Sequence, residues 1–315
     1  MKTCTIPSTT LKSSLIAFGT DSIGTQIDKK ESFQMLSRYV ASGGNHIDTA
    51  HIYGGGQSES TLGAWMKESG LRNQLLLATK GAHPNPTAME IPRLSRSEIE
   101  SDLDESLLRL GCDHVDLYWL HRDCASVPVV DIVDSLNCFV KKGKIRYFGC
   151  SNWMPDRIRE ANAYADATNQ LGFCASQIKW SLAPSSANYI DDPTLVEMDE
   201  SQLSFYKEGK LAVLAFASQA KGYFSKLAQE IRLSPKAAER YDCPENRKRF
   251  QHAAKLAQEK GVHLSSVILA FIYSHSFPAI PIIGCSNIVQ LQDSLDFSDL
   301  VLTQAEMDYL NESRE

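Results

Sequence analysis

Short apolar runs alternate along this chain with longer stretches whose apolar positions recur every three or four residues. Leu15-Ile16-Ala17-Phe18-Gly19 reads as a strand, and Phe33, Leu36 and Val40 follow it at helical spacing. Asn45-His46-Ile47-Asp48 precedes a helical stretch over 61–67, and Leu75-Leu76-Leu77-Ala78-Thr79-Lys80 is short, apolar and bounded by turn residues, as a buried strand would be. Residues 97–110 predict a helix with Leu103, Leu107 and Leu110 on one face. Ser97 and Glu100 stand at capping-box spacing, and Gly111 supplies the stop. Further strands are predicted at 115–120, 145–150, 174–178, 211–216 and 279–283. Further helices are predicted at 129–142, 156–168, 198–207, 245–260, 264–275, 287–295 and 303–311.

Strands that alternate with helices form parallel sheets, because each return crossing needs a helix-length connection. Eight such units within about 300 residues suit a closed barrel. A doubly wound sheet would place a glycine fingerprint after the first strand, and Gly19-Thr20-Asp21-Ser22-Ile23-Gly24 does not supply GxGxxG. The expected fold is therefore an α/β (β/α)8 TIM barrel, a single domain over residues 1–315. The longest irregular excursion is residues 217–244, and long loops on barrels usually carry function.

Composition narrows the classes. The formal charge of −6 argues against a polyanion such as nucleic acid as the main partner. Arg247-Lys248-Arg249, the densest basic cluster, reads as a solvated helix face. No apolar run approaches the roughly 18 residues of a membrane span, and Met1 to Pro7 lack the apolar core of a signal peptide. Eight cysteines are scattered without a CxxC pair, so reduced thiols and a cytoplasmic location are expected, with no metal site.

In such barrels chemistry gathers where the strands end at their C-terminal side. The residues there are Asp48 and Tyr53, Lys80, His121, Ser151 and Asn152, Gln177, Ser218 and Gly284. A phenol has a pKa near 10, too high for easy proton exchange, and an ammonium beside it would lower that value. Asp48 would hold Lys80, and His121 would orient a carbonyl oxygen by a hydrogen bond. Such a set protonates an oxygen as negative charge develops on it.

These residues lie in motifs that resemble the aldo-keto reductase family nearly end to end. The segment from Gly44 through Asp48 and Tyr53 to Glu59 and Gly63 resembles the family's first signature. Leu77 to Lys80 is similar to its lysine strand, Asp116 to His121 to its histidine strand, and Gly143 to Asn152 to the stretch that ends at the nicotinamide carboxamide. The resemblance implies Asp48, Tyr53, Lys80 and His121 as catalytic residues and Gly19 and Thr20 as cofactor contacts. It implies that Ser151, Asn152 and Gln177 hold the carboxamide and that Trp180 stacks on the nicotinamide. Phe216, Ala217, Ser218, Gln219 and Gly222 would wrap the pyrophosphate. Ile283, Gly284, Cys285, Ser286, Gln290, Asp293 and Ser294 would bind the adenosine end. NADP(H) is the expected cofactor, with NAD(H) left open because the positions near the expected 2′-phosphate are neutral.

Tyr53, His121 and Trp153 are the expected substrate contacts, in an open pocket suited to sugars as well as aryl aldehydes. The tail past Asn311 is short and the loop from His121 to Val129 compact, so the pocket is expected to be closed mostly by residues 217–244, with the partner chain of a homo-oligomer as a further cover. Tyr206 and Lys210 have the YxxxK spacing of short-chain dehydrogenases, but without the glycine fingerprint they read as a helix surface ending at Gly209. Gly54-Gly55-Gly56 reads as a flexible loop, and Cys124 and Cys150 as bystanders. Two rival functions remain at this point: oxidation of a sugar or polyol on the same barrel, and cofactor sensing without turnover.

Overall fold

A computed structural model describes residues 1–186, 189–190 and 192–312. Ten strands occur among them: β1 (Thr3–Thr5), β2 (Lys12–Ser14), β3 (Ala17–Gly19), β4 (His46–Asp48), β5 (Leu76–Gly81), β6 (Val115–Leu120), β7 (Ile145–Ser151), β8 (Ala175–Lys179), β9 (Ala212–Phe216) and β10 (Ala279–Ile283). Strands β3 to β10 pair in parallel and in chain order, and β10 closes on β3, so the expected (β/α)8 barrel is what forms.

Each barrel strand has two buried faces. Ala17, Leu76, Ala78, Leu117, Trp119, Ala175, Ala212, Leu214, Ile280 and Ile282 fill the interior as one cluster. Their neighbours Phe18, Ile47, Leu77, Tyr118, Leu120, Ile178, Val213 and Ile283 pack outward on the helices. Strand residues alternate sides with period two. The interior register therefore runs from Ala78 to Lys80, from Trp119 to His121, from Gly149 to Ser151, from Ala175 to Gln177 and from Leu214 to Phe216. It delivers polar groups to the C-terminal mouth. Gly19 owes its identity to barrel closure, since a Cβ there would meet Ile282 Cγ2 at 2.9 Å.

The other end is sealed by an antiparallel hairpin of β1 and β2 that the chain pattern did not reveal. It seats Ile6 and Leu11 in the interior cluster, and the Thr10 N–H donates to Tyr147 Oη at 3.2 Å. His46 lies just above the hairpin, fully buried, with Nδ1 2.8 Å from Ser13 Oγ.

Helix boundaries differ from the expectations where two signals competed. The helix Arg96–Leu110 starts one turn-fraction early because Ser95, not Ser97, forms the capping box, its partner being Glu98. Gly111 does end it, in the left-handed conformation. The excursion over 217–244 is not irregular: it holds the helices Tyr223–Ala228 and Pro235–Tyr241. Tyr206 is not a surface residue but is buried, donating to Ser176 Oγ at 2.8 Å. Arg249 and Arg247 depart from a simple solvated face, the first bonding Asn246 and the second pairing with Asp242. Of the short tail past Asn311, residues 313–315 lie outside the described residues.

Candidate active site

Lys80 is the centre of a buried cluster. Its Nζ donates to Asp48 Oδ2 at 2.5 Å, to the Thr49 carbonyl at 2.8 Å and to Tyr53 Oη at 3.2 Å. Lys80 has no solvent exposure, which a lysine tolerates only when its charge is paired and its donors are used. The second Asp48 oxygen accepts from Gln177 Nε2 at 3.1 Å. Glu59, also fully buried, holds the strand beneath: it accepts from Thr79 Oγ1 at 2.6 Å and pairs with Arg109 at 3.3 Å. His121 faces the phenol edge-on, the ring centroids 6.0 Å apart, and packs on His83 at 4.7 Å.

The electrostatics correct one expectation. Burial raises the Tyr53 phenol above its ordinary value, and the neighbouring Lys80, though it pulls the other way, does not reverse that. Burial opposes the charge on Lys80, yet Asp48 and Tyr53 together raise it. Burial also raises Asp48 against the pull of Lys80. His121 is held well below its ordinary value, first by burial and then by Lys80 and Arg122, so its imidazole is neutral. Its Nδ1 is buried without a hydrogen-bond partner among the described residues.

A cleft of about 870 Å³ opens over this cluster. Asp48, Tyr53 and His121 line its floor, with Ser151, Asn152 and Gln177 beside them. Gly19, Thr20 and the loop from Phe216 to Gly222 form one wall. Gly284, Cys285, Ser286, Gln290, Asp293 and Ser294 form the far end. Lys80 lies directly beneath and touches the floor only through Tyr53 and Asp48.

Three expected site residues are not brought to this cleft. Trp180 is buried behind β8, stacked on Phe277 at 6.1 Å and edge-on to His275 at 4.8 Å. Strand alternation is the reason: Gln177 and Lys179 point inward, so Ile178 and Trp180 point outward. The same alternation turns Ile283 away and puts Ile282 on the cleft. Trp153 is wholly buried, edge-on to Phe173 at 4.9 Å. Besides Tyr53 and His121 on the floor, the aromatic ring that lines the cleft is Phe216. Missed altogether were the cleft cations Arg122, Lys179, Lys221, Lys226 and Arg240. For Arg122 a signal existed, since it follows His121 directly at a strand end.

Features of this cleft suit a nicotinamide dinucleotide. Ala217, Ala220, Lys221 and Gly222 all have left-handed backbone, with φ of 52°, 48°, 53° and 77°. Backbone turned this way makes a compact loop, pinned by the Ala220 N–H on the Ala217 carbonyl at 2.8 Å and the Gly222 N–H on the Gln219 carbonyl at 2.9 Å. Gln219 is tied across to the far end, its Nε2 donating to Ser294 Oγ at 3.1 Å. Asn152, with φ of 61°, spends its own amide on the Val196 N–H, the Ser151 hydroxyl and the His121 carbonyl, which fixes the floor. Of the cysteines set aside earlier, Cys150 is buried and burial pushes its thiol well up. The three glycines from Gly54 form a tight turn, all at positive φ, rather than a loose loop. No helix among the described residues is long and apolar enough to cross a membrane.

A closed parallel barrel with an acid–base cluster in its mouth defines a class of α/β barrel proteins. Within it, this chain belongs to the Aldo/keto reductase family, whose sequence model matches residues 15–315. Members are oxidoreductases that use nicotinamide cofactors and act on small carbonyl compounds. The chain is 29% identical to the uncharacterized oxidoreductase YrpG of Bacillus subtilis, over 96% of this chain and 93% of YrpG. It is 27% identical to norsolorinic acid reductase stcV of Emericella nidulans, over 89% of this chain and 71% of the relative. Among solved structures, a thermostable aldo-keto reductase, Tm1743, crystallised with the inhibitor epalrestat, superposes with a TM-score of 0.74. It covers all of both chains at 23% identity, which bears on the fold alone.

Proposed function

We propose that this protein reduces an aldehyde or ketone to an alcohol with a reduced nicotinamide cofactor, and that Tyr53 supplies the proton. The observation that carries this reading is the Asp48–Lys80–Tyr53 chain of contacts, in which buried Asp48 and Lys80 support a half-buried Tyr53 on the floor of a dinucleotide-sized cleft. The cofactor, when bound, supplies the hydride. Tyr53, kept protonated by burial, donates to the carbonyl oxygen only as negative charge builds there. Lys80 at 3.2 Å then steadies the phenolate, and Asp48 keeps Lys80 charged and in place. His121, neutral and therefore a single donor, orients the same oxygen. Ser151, Asn152 and Gln177 face the carboxamide, Phe216 rather than Trp180 offers the aromatic face, and residues 217–222 receive the pyrophosphate. Of the two cofactors we propose NADP(H), the one the family typically uses, bound without a strong preference over NAD(H).

Cofactor oxidation measured with a panel of aldehydes, ketones and sugars tests the reading. Tyr53→Phe should lower kcat by about a thousandfold while cofactor binding, followed by fluorescence, persists. Turnover that survives the substitution overturns Tyr53 as proton donor. Binding without turnover in the unmodified protein would make it a cofactor sensor instead.

A further inference from the structure

Arg122 stands at the substrate end of the cleft beside His121, and nothing in the chemistry described so far uses it. Its side chain is 10% exposed and lines the cleft. Three of its donors are placed: Nη1 on the His121 carbonyl at 2.8 Å, Nε on Thr194 Oγ1 at 2.9 Å and Nη2 on Asp192 Oδ2 at 3.1 Å. A guanidinium has five N–H groups, so each terminal nitrogen keeps one. Among the described residues its one carboxylate partner is Asp192, whose side chain is 27% exposed, a weak counterweight for a buried charge. Burial accordingly holds Arg122 below its ordinary value in spite of Asp192. Among the described residues, Asp48 is committed to Lys80, Glu197 to Lys179 and Asp123 to Arg157. Two N–H groups of Arg122 are thus left at the cleft beside His121, each on a terminal nitrogen whose other hydrogen is already placed.

We propose that Arg122 is a specificity determinant: its two remaining N–H groups receive a carboxylate or phosphate on the substrate, whose carbonyl lies between Tyr53 and His121. The substrates of this enzyme are anionic aldehydes or ketones. This rests on the carbonyl-reduction reading above. A charge-assisted contact of this kind, formed out of water, is worth roughly ten- to a hundredfold in kcat/KM over the uncharged counterpart. The bland role of Arg122, a tether for residues 192–194, would give no such preference.

Paired substrates make the test. With the cofactor-loaded enzyme, kcat/KM is measured for 4-oxobutanoate against butanal and for glyceraldehyde 3-phosphate against glyceraldehyde. In at least one pair the anionic member should be favoured roughly tenfold or more, and the pair with the larger ratio identifies the headgroup. Arg122→Met should bring that ratio close to one, and Asp192→Asn, which frees the guanidinium from its carboxylate, should raise it. Wild-type ratios at or below one in both pairs overturn the proposal without any variant, as does an unchanged ratio in Arg122→Met or a lowered one in Asp192→Asn. If neither member of either pair is reduced, the carbonyl-reduction reading fails instead. Calorimetric titration of 4-oxobutanoate and of glyceraldehyde 3-phosphate into the loaded protein then decides Arg122 separately: binding that Arg122→Met abolishes supports it, and no binding sinks it.

Discussion

Single side chains here do their work by being denied water. His46 is the plainest case, because burial lowers its imidazole to about 3. The unfolded chain takes up a proton near pH 6.5 that the folded chain refuses until about 3, so folding loses stability as the pH falls through that window. Between pH 6.5 and about 5 the loss is about 2 kcal/mol for one such group. The melting temperature should therefore fall over that interval, and His46→Gln should flatten the fall; an equal slope in the variant would remove His46 as its source. The same burial argument could not be read from the sequence for Tyr53. The spacing of Tyr53 and Lys80 showed that they meet, but only the structure showed that desolvation outweighs the ammonium.

At the scale of one element, alternation along a strand decided most of what the sequence could show. Asp48, Lys80, His121 and Gln177 were legible because each continues an inward-facing series. Trp180 and Ile283 were misread because likeness to a motif was followed where the period of two pointed the other way. Ser95 and Ser97 offered equal capping boxes, and the pattern alone held nothing to choose between them. The hairpin of β1 and β2 was invisible, its strands being too short for any periodicity to register. The helix Ile288–Leu295 carries a consequence for the cofactor. Its cap is self-satisfied, Asn287 accepting from the Gln290 N–H and Gln290 from the Ser286 N–H, each at 2.9 Å. No lysine or arginine occurs from residue 284 to 294, whereas Asp293 lines the cleft. A 2′-phosphate gains little charge pairing from this element, so the dissociation constants of NADPH and NADH should differ by less than about tenfold. Fluorescence titration of both measures it, and a hundredfold preference for NADPH would show that cations elsewhere in the cleft reach the phosphate.

For the whole molecule, the barrel separates what keeps it folded from what it does. The hairpin seals one end with Ile6 and Leu11, while the acid–base cluster occupies the other. Ile6→Ala should cost about 3 kcal/mol of stability through the cavity it leaves, with kcat unchanged at temperatures where the variant stays folded. Thermal unfolding and steady-state rates, taken together, check this; a loss of kcat matching the loss of stability would mean that the two ends are coupled. The overall architecture was readable because eight strand–helix repeats survive errors at any one boundary. The cleft was only partly readable: residues 217–222 were expected in it, but Ser225, Lys226, Gln229 and Arg240 reach it from short helices that leave little trace in hydrophobic spacing.

The closure of β10 on β3 has a further consequence. β3 is a three-residue stave held by two paired positions on each side, Ala17 and Phe18 to β10 and Phe18 and Gly19 to β4. The cleft lies across that same join, with Gly19 and Thr20 on one bank and Gly284 and Cys285 on the other. A molecule seated there grips both banks, so binding acts as a rivet through the thinnest stave, and the loaded barrel is harder to prise open than the empty one.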